Sequence, residues 1–222
     1  MIDLKELMNN RRNIYQLLTR LFQKEIDTEL YNALKTIKFP TSQDKNILKE
    51  YHSAMVRFND YFEYDMGESI DDLAVDYAKT FLGAGIAQGA SAFPYESVYT
   101  SPKRMLMQDA WVQVISVYEQ NGLERNEDAK DLLEDHIAVE LNFMSYLCEC
   151  TNKYTEPLSG LEKQKNFLNT HLLNWVPQFC LDIKQYADTE FYRMVGQLTS
   201  TFLQLDSMML DQLIMSLDTP HA

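Results

Sequence analysis

A chain of 222 residues, 45% hydrophobic and 24% charged, has an ordinary globular composition and enough length for a sizeable core. Its formal net charge of −13 argues against nucleic acid as the main partner, because phosphate binding needs a basic face, and favours cationic partners. Seven Gly and six Pro are few for a sandwich or barrel that must turn often, whereas 11 Met with abundant Leu, Gln, Glu and Lys point to helices.

Residues 3–23 carry Leu4, Leu7, Ile14, Leu17, Leu18, Leu21 and Phe22 at helical spacing. Arg11, Arg12 and Arg20 on this helix are expected as solvated or salt-bridged surface. A short helix from Thr28 to Ile37 stops before Pro40. Thr41, Ser42 or Asp44 is the expected cap of the next helix, through Tyr51, Met55, Phe58 and Phe62. Ser69 or Asp71 starts another through Leu73, Tyr77 and Phe81. Periodicity then disappears from Leu82 to Ser101, a loop with three glycines followed by Phe93, Pro94, Tyr95 and Tyr99. Loops this long without secondary structure are usually functional or mobile.

Ser101-Pro102 predicts a helix start, a capping hydroxyl with Pro at the first helical position, and Gly122 a stop. Residues 122–131 form a charged connector and the expected hinge. The stretch from Asp131 to Cys150 reads as a helix with two apolar stripes, Ile137-Leu141-Met144-Leu147-Cys148 and Val139-Phe143-Tyr146-Cys150, and so as an enclosed element. Glu134, Asp135 and His136 form its polar tip, and His136 and Glu140 share a face. Residues 158–170 form a further helix. Pro177, inside an apolar pattern, either kinks or starts the following one. Asp188 or Thr189 caps a last helix reaching Leu217. The expected architecture is all-α, one compact multi-helix domain over residues 1–222.

Cys148, Cys150 and Cys180 form no zinc pattern and are expected as reduced, largely buried thiols. No basic region followed by an apolar run opens the chain, and no apolar segment approaches the roughly 18 residues of a membrane span. The expected location is cytoplasmic. Templates for nucleotide, hydrolase or metalloprotease chemistry are missing. His136 with Glu140 and Asp135 is the candidate metal group, but its spacing departs from the Glu-x-x-His of helical metal sites and has no second copy. The plain alternative for Asp135-His136 is a helix cap with a packed histidine. No metal or other cofactor is expected.

Three separated segments, in order, resemble one family. They are Asp76-Tyr77 through Phe81 and Gly83 to Pro94-Tyr95-Glu96-Ser97-Val98-Tyr99; Asp135-His136-Ile137-Ala138 with Glu140-Leu141 and Phe143-Met144; and His171 through Phe179. The chain is similar to the TorD-like, especially DmsD-like, chaperones of redox-enzyme maturation, from about Arg12 to Leu205. The resemblance implies a non-enzymatic, all-α protein. It implies binding of a molybdoenzyme precursor, often at its twin-arginine leader, until the molybdenum cofactor is inserted. It also implies a monomer or domain-swapped dimer, and a weak guanine-nucleotide interaction in one branch. The peptide-binding residues so implied are Tyr95, Ser97, Tyr99, Asp135 and His136. Glu96 and Glu140 join them as carboxylates for guanidinium groups, and Phe81, Pro94 and Phe93 as apolar neighbours. Where the family has Glu-Pro-x-Asp-His, this chain has Leu132 and Leu133 in the first two places, which leaves the connector freer to continue as helix. The competing functional readings are a small helical nucleotide- or metal-binding protein using His136 and the 82–101 loop, and an adaptor for a folded partner.

Overall fold

The computed structural model describes residues 3–40, 48–64, 66–85, 90–124, 132–151, 153 and 156–218. The protein is all-α: among the described residues no strand forms, and the only extended pairing is an isolated antiparallel bridge between Tyr95 and His136. The chain divides into two compact units. One comprises Met1–Phe22, Pro94–Val176 and Asp206–Ala222, the other Gln23–Phe93 and Pro177–Leu205.

In the first unit, α1 (Leu4–Gln23) buries Met8, Tyr15, Leu18, Leu21 and Phe22; of the stripe that its spacing predicts, Leu18, Leu21 and Phe22 are buried, while Leu4, Leu7, Ile14 and Leu17 are partly open. α5 (Glu96–Thr100) is a short helix inside the expected loop, and it packs on α6 (Asp109–Gln120). Ser101-Pro102 does not start α6. Ser101 instead anchors a turn, its carbonyl accepting from Arg104 N–H at 3.0 Å. Arg104 and Met107 then hold φ of 50° and 55°, a left-handed backbone that no α-helix traverses. α6 therefore begins at Asp109 and ends, as expected, just before Gly122, which sits at φ 72°. The expected hinge falls partly outside the described residues, at 125–131.

α7 (Ile137–Thr151) packs on α8 (Pro157–Phe167) and on the π-helical turn Leu168–Leu172 that follows. Gly160 lets α7 and α8 approach closely, since a Cβ there would lie 2.5 Å from Thr151 Oγ1. The first stripe of α7 is buried throughout, from Ile137 to Cys148. Of the second, Phe143 is buried while Val139, Tyr146 and Cys150 remain partly open. Arg11, expected at the surface, is instead among the largest fully buried side chains. Its Nη2 donates to Asp206 Oδ2 at 2.8 Å, the oxygen that also accepts from Tyr15 OH at 2.6 Å. Nη1 reaches Gln164 Oε1, and Gln164 Nε2 reaches Thr151 Oγ1 at 2.8 Å. Burial opposes the guanidinium charge, but Asp206 overrides it and raises the Arg11 pKa, so the guanidinium stays charged in the core.

The second unit holds α2 (Thr28–Thr36), α3 (Lys49–Glu63), α4 (Ile70–Leu82), nearly all of α9 (Val176–Tyr186), and α10 (Glu190–Asp218) as far as Leu205. Of the two expected starts it is Ser69 that caps α4, through a capping box with Asp72. Thr41, Ser42 and Asp44 lie outside the described residues. Pro177 is the second residue of α9, where its missing N–H costs nothing, so it starts the helix. Thr189 caps α10 by accepting from Tyr192 N–H, and two carboxylates from elsewhere in the unit reinforce it. Asp76 accepts from the backbone of Asp188 (3.0 Å) and Thr189 (2.8 Å), from Thr189 Oγ1 (2.6 Å) and from Thr80 Oγ1 (2.8 Å). Glu68 accepts from Glu190 and Phe191 N–H, so the positive end of the long helix meets two anions. Cys148 and Cys180 are buried free thiols and Cys150 is half-buried.

Candidate functional site

In the first unit, the segment entering α5 runs antiparallel to the residues entering α7. Glu96 N–H donates to Asp135 C=O at 2.9 Å, and Ile137 N–H to Pro94 C=O at 2.9 Å. These two bonds, with the turn that His136 N–H closes onto Leu133 C=O at 3.0 Å, hold Asp135 in a turn and His136 in an extended bridge, which is why α7 starts at Ile137 and not at Asp131. Leu132 and Leu133, in place of Glu-Pro, do not make the connector helical; residues 132–136 are turn and bridge. Asp135 consequently serves α5: its Oδ2 accepts from Ser97 N–H at 3.0 Å. His136 acts as the cap of α7, its Nδ1 accepting from Ala138 N–H at 3.1 Å, which places the proton of the neutral ring on Nε2.

The candidate residues fall into two classes. Pro94, Glu96, Ser97, Asp135, His136 and Glu140 are buried together in this unit, whereas Tyr95 and Tyr99 are only half-buried. Tyr95 meets the His136 ring edge-on, with centroids 4.9 Å apart. Tyr99 stacks on Trp175 (5.4 Å, 30°) and also takes the Arg104 guanidinium 5.6 Å from its ring centre. Phe81 lies in the core of the other unit with Tyr77, Phe179 and Tyr192. Phe93 is also in that unit and partly exposed.

Sequence reasoning quoted His171, Asn174 and Trp175 without giving them a role. The π-helical turn, closed by Leu173 N–H to Leu168 C=O at 2.8 Å, delivers them to the buried carboxyls. His171 Nδ1 is 3.0 Å from Glu96 Oε2, Asn174 Nδ2 donates to Glu96 Oε1 at 2.9 Å, and Trp175 Nε1 donates to Glu140 Oε2 at 3.1 Å. Their i, i+3, i+4 spacing was the available signal, since it sets the three on one helical face.

The carboxyls are not equally satisfied. Asp135 Oδ1 and Glu140 Oε1 are buried and receive no hydrogen bond from a donor group, although the Glu96 carboxyl lies against Glu140. Burial raises the Asp135 pKa despite the Ser97 hydrogen bonds. Burial, then the nearby Glu96 carboxyl, pushes Glu140 well above its usual value, which the Trp175 bond only partly offsets. Burial lowers His136 to about 3, so its ring is neutral at physiological pH. Among the described residues no group of three or more His, Cys, Asp and Glu could hold a metal ion, and His136 and Glu140 turn to different partners.

Beside this cluster, a groove of about 480 Å3 opens between α6 and α7. The open stripe of α7 lines it with Val139, Phe143 and Tyr146, and Glu134, next to Asp135, borders it. Trp111 Nε1 fixes Glu134 by donating to its Oε2 at 2.6 Å.

Residues 44–181, a stretch containing every candidate site residue, match the family model described as nitrate reductase delta subunit. The chain belongs to the nitrate reductase delta subunit family. The chaperone protein TorD of Vibrio cholerae is 28% identical to it, with 96% of this chain and 98% of the relative covered. The TorD chaperones of Vibrio atlanticus (30% identical) and Vibrio parahaemolyticus (27%) each cover 93% of this chain and 97% of their own. The chain is therefore a TorD-like maturation chaperone by family. These relatives are named as chaperones, not as enzymes. No helix of the described residues is long and apolar enough to cross a membrane.

Proposed function

We propose that this protein is a cytoplasmic chaperone that binds the precursor of a molybdoenzyme at its twin-arginine leader. It holds that precursor until the molybdenum cofactor is inserted, and the two compact units serve as a single chaperone domain over residues 1–222. The observation that carries the reading is Tyr99: in an acidic protein, its half-buried ring is built against Trp175 and already accepts a guanidinium, that of Arg104. An aromatic face that accommodates one arginine suits the arginine pair of a leader. Tyr95 and Tyr99 are the proposed contacts. Pro94, Glu96, Ser97, Asp135, His136 and Glu140 form the buried frame behind them, and Phe81 acts as core.

Affinity capture of the tagged protein from anaerobically grown native cells, followed by mass spectrometry, tests the reading. The expected result is a molybdoenzyme precursor that retains its leader, captured less well by the Tyr99→Ala variant. Absence of any such precursor, under conditions where one is expressed, would contradict it.

A further inference from the structure

We propose that the groove between α6 and α7 docks an apolar peptide segment with basic residues at its flank, which assigns it to the apolar stretch of the leader. This assignment rests on the client reading above. The groove lies wholly within one unit, beside the buried cluster.

Three observations carry it. First, α7 is apolar on two sides, yet only one stripe is fully covered; Val139, Phe143 and Tyr146, spaced i, i+4 and i+7, line an open groove. That row runs about 10 Å along the helix, enough for two turns of an apposed amphipathic helix. Second, Ile115 on α6, with Leu123 and Leu132, supplies the facing apolar wall, and the enclosed volume of about 480 Å3 falls within the roughly 300–1,000 Å3 of ligand-binding concavities. Third, among the described residues the charges bordering it have one sign. Glu119, Glu124 and Glu134 line the groove, and no Lys, Arg or His is among the described residues that do. Tyr118, which also lines the groove, holds Glu134 by donating to its carbonyl at 3.1 Å. The apolar surface thus sits in a negative field. A cation-flanked apolar peptide complements both features. A second copy of this chain does not, because a protein of net charge −13 would bring like charges together there.

The test is fluorescence anisotropy with a labelled peptide of two arginines followed by about a dozen apolar residues, added to the full chain. Leu123→Asp and the exposed double reversal Glu119→Lys/Glu124→Lys are each expected to weaken binding about tenfold or more. The reversal's effect should fade as salt is raised, being a screened surface interaction. Occupancy should also shift the emission of Trp111, which holds Glu134, and Trp111→Phe should abolish that shift while keeping most of the affinity. Should Leu123→Asp fail to fold, the surface reversal decides alone. If both groove variants bind like wild type while Tyr99→Ala does not, the groove assignment falls and the client reading stands. If wild type binds no such peptide, both fall. A dimer lost in Leu123→Asp with peptide affinity intact would make the occupant a second copy and overturn the proposal.

Discussion

Asp76 in one unit and Asp135 and Glu140 in the other are all buried carboxyls in stretches shared with the family, yet the protein treats them differently. Asp76 spends both oxygens on four donors and, with Glu68, neutralises the start of α10. Asp135 and Glu140 each keep an oxygen that receives no hydrogen bond from a donor group, and their pKa values rise. A carboxylate placed for stability alone is satisfied as Asp76 is. Carboxyls left short of donors, beside half-buried tyrosines and an open groove, are kept at some cost to the fold, as at functional sites.

Replacing Asp76 should have the largest effect. Asp76→Ala orphans the N–H groups of Asp188 and Thr189, just before α10, and two hydroxyls, and is expected to cost about 3–4 kcal/mol, read as a lower denaturation midpoint. His136 comes next, at low pH. Its folded value of about 3 lies below the ordinary 6.5, so its contribution to stability is present above pH 6.5 and lost as pH falls toward 3. At pH 4 that loss is on the order of 3 kcal/mol. His136→Asn keeps an acceptor for Ala138 N–H without titrating, and should flatten the acid limb of a stability–pH curve. Gly160→Ala should cost about 2 kcal/mol by forcing α7 from α8 at Thr151, with thermal melting as the measurement. The smallest effect is Glu140→Gln. A raised carboxyl value gives stability that is full below the ordinary value of 4.5 and is lost as pH rises through the folded one. The variant should therefore change stability by about 1 kcal/mol or less near neutrality, and reduce the alkaline decline relative to wild type. A large loss at neutral pH would place Glu140 in the same class as Asp76.

Much of the helical fold was legible because local signals act within one turn: the Leu spacing of α1, the Ser69 capping box, Gly122 after α6, and Pro177 at the start of α9. Errors arose where distant residues overrode local signals. Ser101-Pro102 has the chemistry of a helix start, but the left-handed Arg104 and Met107 break the chain before α6. Asp135 and His136 look like a first helical turn, but hydrogen bonds to Pro94 and Glu96 on either side of His136 hold the pair as a turn and a bridge. Arg11 looks like surface until Asp206, far along the chain, pairs with it. The candidate site was legible as a set of residues. The division between buried frame and half-buried tyrosines was not, because Glu96 meets its partners only through the π-helical turn at Leu168–Leu172. The second stripe on α7 was visible, but an enclosed helix and one with an open side have the same spacing.

Hydrogen exchange of the full chain, with and without a saturating twin-arginine leader peptide, tests the central claim most directly. Slowed exchange is predicted in the first unit, at residues 94–100, 115–124 and 132–146, with residues 68–81 and 188–194 unchanged. Protection confined to residues 68–81 and 188–194, or no change anywhere at saturation, would contradict the assignment of client binding to the unit that holds Tyr95, Tyr99 and the α6–α7 groove.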